Sequence, residues 1–138
     1  MRILGIDYGD ARTGLSVSDP TGLLAGSPSV IKEWNPERLA ERLAAYIAEQ
    51  KIERVVMGYP KNMDGSAGAR AQKCEALAHA LETRTGVPVV LWDERRTTIE
   101  AHAILHASGK KENKHRQTVD AVAASLILQN YLDWLRSQ

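Results

Sequence analysis

Hydrophobic and polar positions fall into blocks along this chain, and the block boundaries predict its elements. Ile3-Leu4-Gly5-Ile6 is a short apolar run ending at Asp7, the pattern of a strand buried on both faces. Thr13 to Ser18 alternates, with Leu15 and Val17 on one side and Ser16 and Ser18 on the other, which predicts a second strand. Asp19-Pro20-Thr21-Gly22 places Asp, Pro and Gly where a type I turn prefers them. A third strand is expected from Leu23-Leu24 towards Val30-Ile31, interrupted at Gly26 and Pro28. Three strands joined by tight turns make an antiparallel meander.

From Asn35 the period lengthens to that of a helix. Asn35-Pro36 reads as an N-cap followed by Pro at the first helical position, and Leu39, Leu43, Tyr46 and Ile47 continue the helix to about Gln50. Arg54 to Gly58 is a short apolar strand which, following a helix, should pair in parallel. A polar, turn-rich loop spans Tyr59 to Gly68. A helix follows, with a stripe of Cys74, Leu77, Ala78 and Leu81, and closes at Thr85-Gly86. Val87 to Trp92 reads as another buried strand, stopping at Asp93-Glu94. Thr97-Thr98-Ile99-Glu100 fits a capping box for a helix running through Ile104 and Leu105 to Gly109. After a charge run from Lys110 to Arg116, a long helix is expected over about Gln117 to Arg136, burying Val119, Val122, Leu126, Tyr131 and Leu135. The order predicts the α/β class: a mixed five-stranded sheet, three antiparallel strands then two parallel, in one domain over 1–138 with helices on both faces.

Composition narrows the functional classes. A chain of 138 residues that is 43% hydrophobic and 25% charged fits one soluble domain with a sizeable core. The net charge of +1 gives no global field for nucleic acid, so any basic footprint has to be local. Cys74, the single cysteine, excludes an internal disulfide and fits a reducing compartment. Met1 to Asp7 turns acidic too soon for a secretory leader, and no apolar run approaches a membrane span, so a cytoplasmic location is expected.

Three acids stand out by placement. Asp7 lies inside the first strand, expected over Ile3 to Tyr8, Glu94 follows the last, and Asp120 lies one turn before Ala123 and Ala124 at the edge of an apolar helix stripe. Loops that follow parallel strands converge on one crevice, so adjacency of the first and fifth strands would bring Asp7 and Glu94 near the last helix. Converging carboxylates repel, and divalent ions relieve this. All-oxygen donors suit Mg²⁺ or Mn²⁺, and two such ions about 4 Å apart serve phosphodiester hydrolysis. Each acid also has an ordinary structural explanation: local amides for Asp7, Arg95 or Arg96 for Glu94, and the helix dipole for Asp120. Asp93 competes with Glu94 for the second position. His102 and His106 share a helical spacing used by zinc ligands but lack a third ligand, and Cys74 sits inert on an apolar stripe.

These residues lie in a recognisable series. Asp7-Tyr8-Gly9-Asp10-Ala11-Arg12-Thr13-Gly14 resembles the first motif of the YqgF/RuvX family. Gly58 to Ser66 and Asp93 to Thr98 resemble its second and third motifs, and Asn113-Lys114 with Val119-Asp120-Ala121 its fourth. Tyr59 departs from the family's more usual aliphatic residue, and the stretch from Asn113 to Asp120 varies in length among relatives. The resemblance implies a ribonuclease H-like fold related to the RuvC Holliday-junction resolvases. It also implies a nuclease maturing the 5′ end of pre-16S rRNA, with Asp7, Glu94 and Asp120 as catalytic metal ligands.

The expected partner is nucleic acid: an rRNA precursor first, branched or single-stranded DNA second. Asn62, Asp64, Gly65, Ser66 and Gly68 precede a helix N-terminus with free amides, and Arg70 in its first turn adds a forked phosphate donor; the plain alternative is a loop capped by Ser66. Lys110, Lys111, Lys114 and Arg116 could follow a phosphate backbone, although such a run is more often a solvated loop. Arg12 and Arg95, in the first and third motifs, complete the expected binding set. Two other functions fit parts of the pattern: a branched-DNA resolvase, and a non-catalytic rRNA-binding assembly factor. The Gly-Ile-Asp-x-Gly opening also resembles the phosphate loop of actin-like kinases, which clamp nucleotide between two such domains. A monomer or weak homodimer is expected, since symmetric cutting of a junction needs two copies.

Overall fold

The apolar run at the amino end becomes the centre of the sheet. The computed structural model describes residues 1–59, 68–93 and 112–138, the side chains of 112–121 excepted. Its elements are β1 (Ile3–Asp7), β2 (Arg12–Ser18), β3 (Ala25–Lys32), α1 (Pro36–Glu49), β4 (Arg54–Tyr59), α2 (Ala69–Thr85), β5 (Val89–Asp93) and α3 (Glu112–Arg136). The strands form one sheet in the order β3-β2-β1-β4-β5. β2 pairs antiparallel with β1 and β3, while β4 pairs parallel with β1 and β5. This is the expected mixed sheet, with β1 between its antiparallel and parallel halves, but β4 separates β1 from β5, so the adjacency of the first and fifth strands is not found.

Alternation along the strands sorts the core into two layers. Leu4, Ile6, Leu15, Val17, Val55 and Met57 face α1 and α2, meeting Leu39, Leu43, Leu77 and Leu81. Ile3 and Val56 face the other way, onto Ile127, Leu128, Tyr131 and Leu132 of α3. Leu43 and Leu128 are fully buried, and truncating either to Ala would cost about 2–5 kcal/mol. Ser16 and Ser18 lie on the α3 side yet are buried, because each has a partner. Ser16 donates to the Gly26 carbonyl at 2.7 Å, and Ser18 Oγ accepts from the Ile3 amide at 2.9 Å.

Local signals explain most boundaries. The Asn35 carboxamide oxygen accepts from the amides of Glu37 and Arg38 at 2.9 and 3.2 Å, capping α1 as expected. In the turn after β2, Asp19 accepts the Gly22 amide at 2.9 Å. The pairing of β2 with β3 slips between Leu15 and Val17, where Ser27 takes a positive φ of 46° beside Pro28. Proline cannot donate to a ladder, so this edge strand absorbs it in a bulge. Gly86, at φ 72°, closes α2 in the left-handed conformation.

Four further expectations are corrected. α3 begins at Glu112 rather than Gln117, so Lys114 and Arg116 are helical. Its buried stripe is Ala123, Ala124, Ile127, Leu128, Tyr131 and Leu132, with Val122, Leu126 and Leu135 only half-buried. The helix turns its alanines inward because it lies unusually close to β1. β5 is not fully buried: it is an edge strand, and Leu91 is 37% exposed. The N-cap position of α2 is Gly68 rather than Ser66, which lies outside the described residues. The capping box at Thr97–Glu100 and the His102–His106 pair lie outside the described residues.

Candidate functional site

Asp7 is the last residue of β1, and alternation from Ile3 and Gly5 puts it on the α3 side of the sheet. The contact that fixes its surroundings is at Gly5. A Cβ there would lie 2.8 Å from Leu128 Cβ and 2.9 Å from the Ala124 carbonyl oxygen, so strand and helix touch with no room for a side chain between them. Ile3 meets residues later in α3, from Ile127 to Leu132, so the helix runs back along the strand. Two residues forward from Gly5, about 6.6 Å, lead to Asp7. One turn back from Ala124, about 6 Å, leads to position 120. Asp7 and position 120 therefore occupy neighbouring places in the register between β1 and α3.

The parallel half of the sheet supplies the next row. Ile6 pairs with Met57, so Gly58 stands beside Asp7; Gly58 pairs in turn with Trp92 of β5. Trp92 packs on the α3 side, together with Val90. Gly58 carries no side chain, so the strand between Asp7 and β5 places none in this row, and the glycine itself is buried. Alternation puts Asp93 on the opposite face from Trp92 and Asp7. Glu94 lies outside the described residues, as do Asn62, Ser66, Arg95, Lys110 and Lys111. Asp120, Lys114 and Arg116 lie in the first turns of α3 by backbone position, and Asp7 is the one member of the acid trio whose side chain is described.

The donor set fits a hard cation. Aspartate and glutamate offer only oxygen ligands, the kind Mg²⁺ and Mn²⁺ require.

The turn after Asp7 is tightly held. A Cβ on Gly9 would meet the Arg12 carbonyl oxygen at 2.1 Å, so only glycine fits where the chain doubles back into β2. Arg12 opens β2 at this turn. Arg70, in the first turn of α2, donates to the Tyr8 carbonyl at 2.6 Å and lies 3.9 Å from Asp10. Lys73, one turn on, reaches the other Asp10 oxygen at 3.4 Å. These side chains are about half to two-thirds exposed, so each ion pair is worth about 0–1 kcal/mol at most. Sequence reasoning singled out Arg70 but passed over Lys73 and Asp10. The visible signal was a second cation three residues after Arg70, on the same helical face.

Comparison with known proteins gives a consistent set of likenesses. The family model RuvX, described as Holliday junction resolvase, matches residues 1–134. A Lachnospira eligens protein, named as a proposed pre-16S rRNA nuclease, is 43% identical over 136 residues, covering 96% of this chain and 97% of the relative. Thermus thermophilus RuvC in complex with a Holliday junction substrate superposes with a TM-score of 0.66 at 15% identity, covering 100% of this chain and 97% of that one. The Fowlpox virus resolvase bound to Holliday junction DNA gives 0.63 at 13% identity, with 98% and 99% covered. At these identities the two structures speak to fold, and they bear out the ribonuclease H-like arrangement.

Proposed function

The chain belongs to the RuvX family, and on that premise we propose that it is a metal-dependent nuclease. It hydrolyses phosphodiester bonds at the 5′ end of pre-16S rRNA during ribosome biogenesis in the cytoplasm. The observation that carries the reading is the contact of Gly5 with Ala124, which sets Asp7 and position 120 side by side at the end of β1. Asp7, Glu94 and Asp120 are the residues that would hold two Mg²⁺ or Mn²⁺ ions. Glu94 is preferred to Asp93 because Asp93 alternates onto the face away from Asp7.

The bound ions supply water activation and stabilisation of the leaving oxygen. The residues of the chain do the rest. Asp7, on the rigid central strand, fixes one anchor, and α3 carries the other against the same strand. Arg12 and Arg70 flank the turn after Asp7, and together with Asn62, Ser66 and Arg95 they orient the phosphates. Lys110, Lys111, Lys114 and Arg116 draw in the flanking backbone, an attraction that weakens with salt. The chain works as one domain, as a monomer or weak homodimer.

The test is Mn²⁺- or Mg²⁺-dependent cleavage of a pre-16S 5′ leader, run beside a four-way DNA junction. Leader cleavage that vanishes in Glu94→Gln supports the reading. The family description favours a second one, resolution of branched DNA, and cutting of the junction alone would select it. Normal rRNA maturation in cells carrying Glu94→Gln would leave a non-catalytic assembly factor.

A further inference from the structure

Asp7 and Tyr8 are consecutive in an extended chain and so point to opposite faces of the sheet. Tyr8 packs on the α1–α2 side, where it lines the mouth of a groove of about 750 Å³ between those two helices. The floor is apolar, built from Ala40 of α1 and Ala76, Leu77 and Ala80 of α2. Trp34 stands at the wall and is 73% exposed, more than any other large hydrophobic side chain described. An indole left so open beside a flat apolar floor offers a stacking surface.

The charges are arranged along one rim. Lys73 and Arg84 both line the groove. They are eleven residues apart on α2, which returns them to the same helical face about 16 Å apart. Arg70 stands at the mouth, bonded to Tyr8. Two acids also line the groove. Glu37 belongs to the first turn of α1, where the helix dipole favours it. Asp10 sits between Lys73 and Arg70, so a carboxylate occupies the place where the two cations converge. Both pairs are exposed and exchangeable.

We propose that this groove takes a single-stranded nucleotide segment flanking the scissile phosphate, with a base on Trp34 and a phosphate on Lys73 and Arg70 in place of Asp10. The proposal deepens the nuclease reading and rests on it for the source of the strand. A strand held at Asp7 has only to pass the end of the sheet to reach Tyr8. A stacking ring, spaced cations and a path from the acid site together match a nucleic-acid strand.

The test titrates an end-labelled six-nucleotide oligo(A) RNA by fluorescence anisotropy, without divalent metal so that binding is read apart from cleavage. Trp34→Ala should weaken binding about fivefold or more, and Trp34→Phe should restore most of it. Lys73→Ala should weaken binding and make its salt dependence shallower. Asp10→Asn should tighten binding about two- to fivefold at low salt, because the phosphate no longer competes with a carboxylate. Unchanged affinity in Trp34→Ala overturns the proposal. So does a dimer seen by sedimentation that Trp34→Ala dissolves while RNA affinity is kept, since the groove then belongs to a second copy. Leader cleavage with Mn²⁺ is scored separately. Trp34-dependent binding without wild-type cleavage keeps the groove and defeats the nuclease reading; cleavage with Trp34-independent binding does the reverse.

Discussion

The hydroxyl of Tyr59 donates to a carboxylate oxygen of Glu75 at 2.5 Å, tying the last residue of β4 to the second turn of α2. The bond joins the two elements on either side of residues 60–67. It also raises the tyrosine's pKa, chiefly because the phenol donates to Glu75, with burial and the carboxylate's charge adding to the effect.

The sign of the pH dependence follows. With its folded pKa raised, Tyr59 holds its proton in the folded state at pH values where the unfolded chain has lost it. Its contribution is fully present below the unfolded value of about 10 and is lost as pH rises through the folded value. A spectrophotometric titration of tyrosinate should show a phenol ionising above the ordinary tyrosine value of about 10, and Tyr59→Phe should remove that step. The wild-type Tm should fall more steeply above pH 10 than that of Tyr59→Phe. Survival of the late step in Tyr59→Phe would assign it to another tyrosine.

Gly5→Ala tests whether the contact between β1 and α3 aligns the proposed acid site. The added methyl meets Leu128 Cβ and a helix carbonyl at under 3 Å, so α3 has to move away from β1. Overpacking of this kind costs about 1–3 kcal/mol. Cleavage should fall further than the folded fraction does, and the Mg²⁺ concentration for half-maximal activity should rise. Wild-type metal dependence in the folded variant would show that β1 and α3 do not set the ligand geometry.

Much of this was legible in the chain itself. The apolar run at Ile3–Ile6, the alternation at Thr13–Ser18 and the Asn35-Pro36 cap give β1, β2 and α1 directly, because each depends on neighbours in sequence. The inward face of α3 was misjudged because periodicity favours large residues such as Val122 and Leu126. The turn that meets Gly5 is the one carrying Ala124 and Leu128, whose carbonyl and Cβ leave no room for a strand side chain, and that requirement comes from another element. β5 has the apolar run of a buried strand, but its place at the sheet edge is a matter of topology. The start of α3 was hidden by charge, since Asn113 to Arg116 reads as a solvated loop until the helix is seen to include it. The groove beside Trp34 is made by two helices meeting, and no local pattern encodes it. For the acid trio, the place of Asp7 in the first strand and of Asp120 in the last helix was readable, whereas the metal-binding role of Asp7, Glu94 and Asp120 stays a proposal.

Replacing Lys110, Lys111 and Lys114 with Ala tests the basic run. Each lost phosphate contact should shallow the slope of log affinity against log salt by close to one. Affinity at low salt should fall, while cleavage at saturating substrate survives, because none of the three belongs to the acid site. Lys114 lies in α3, so a far-ultraviolet spectrum should confirm that helix content is kept. An unchanged salt slope would make the run a solvated surface.

Asp7→Asn sets function against structure at the centre of the sheet. If Asp7 anchors metal, the exchange keeps the shape and removes the charge, and cleavage should fall by orders of magnitude. Without metal the native site crowds carboxylates, so removing one relieves repulsion. The variant should then melt at the wild-type temperature or slightly above it, and gain less from added Mg²⁺, since stabilisation by a ligand scales with its affinity for the folded state. If Asp7 instead serves only to accept backbone amides, asparagine turns a donor towards them on one side, leaving a buried group unsatisfied at about 1–3 kcal/mol. Melts with and without Mg²⁺ separate the two. A loss of stability that metal does not change, with residual cleavage tracking the folded fraction, would make Asp7 a structural residue and remove the catalytic assignment.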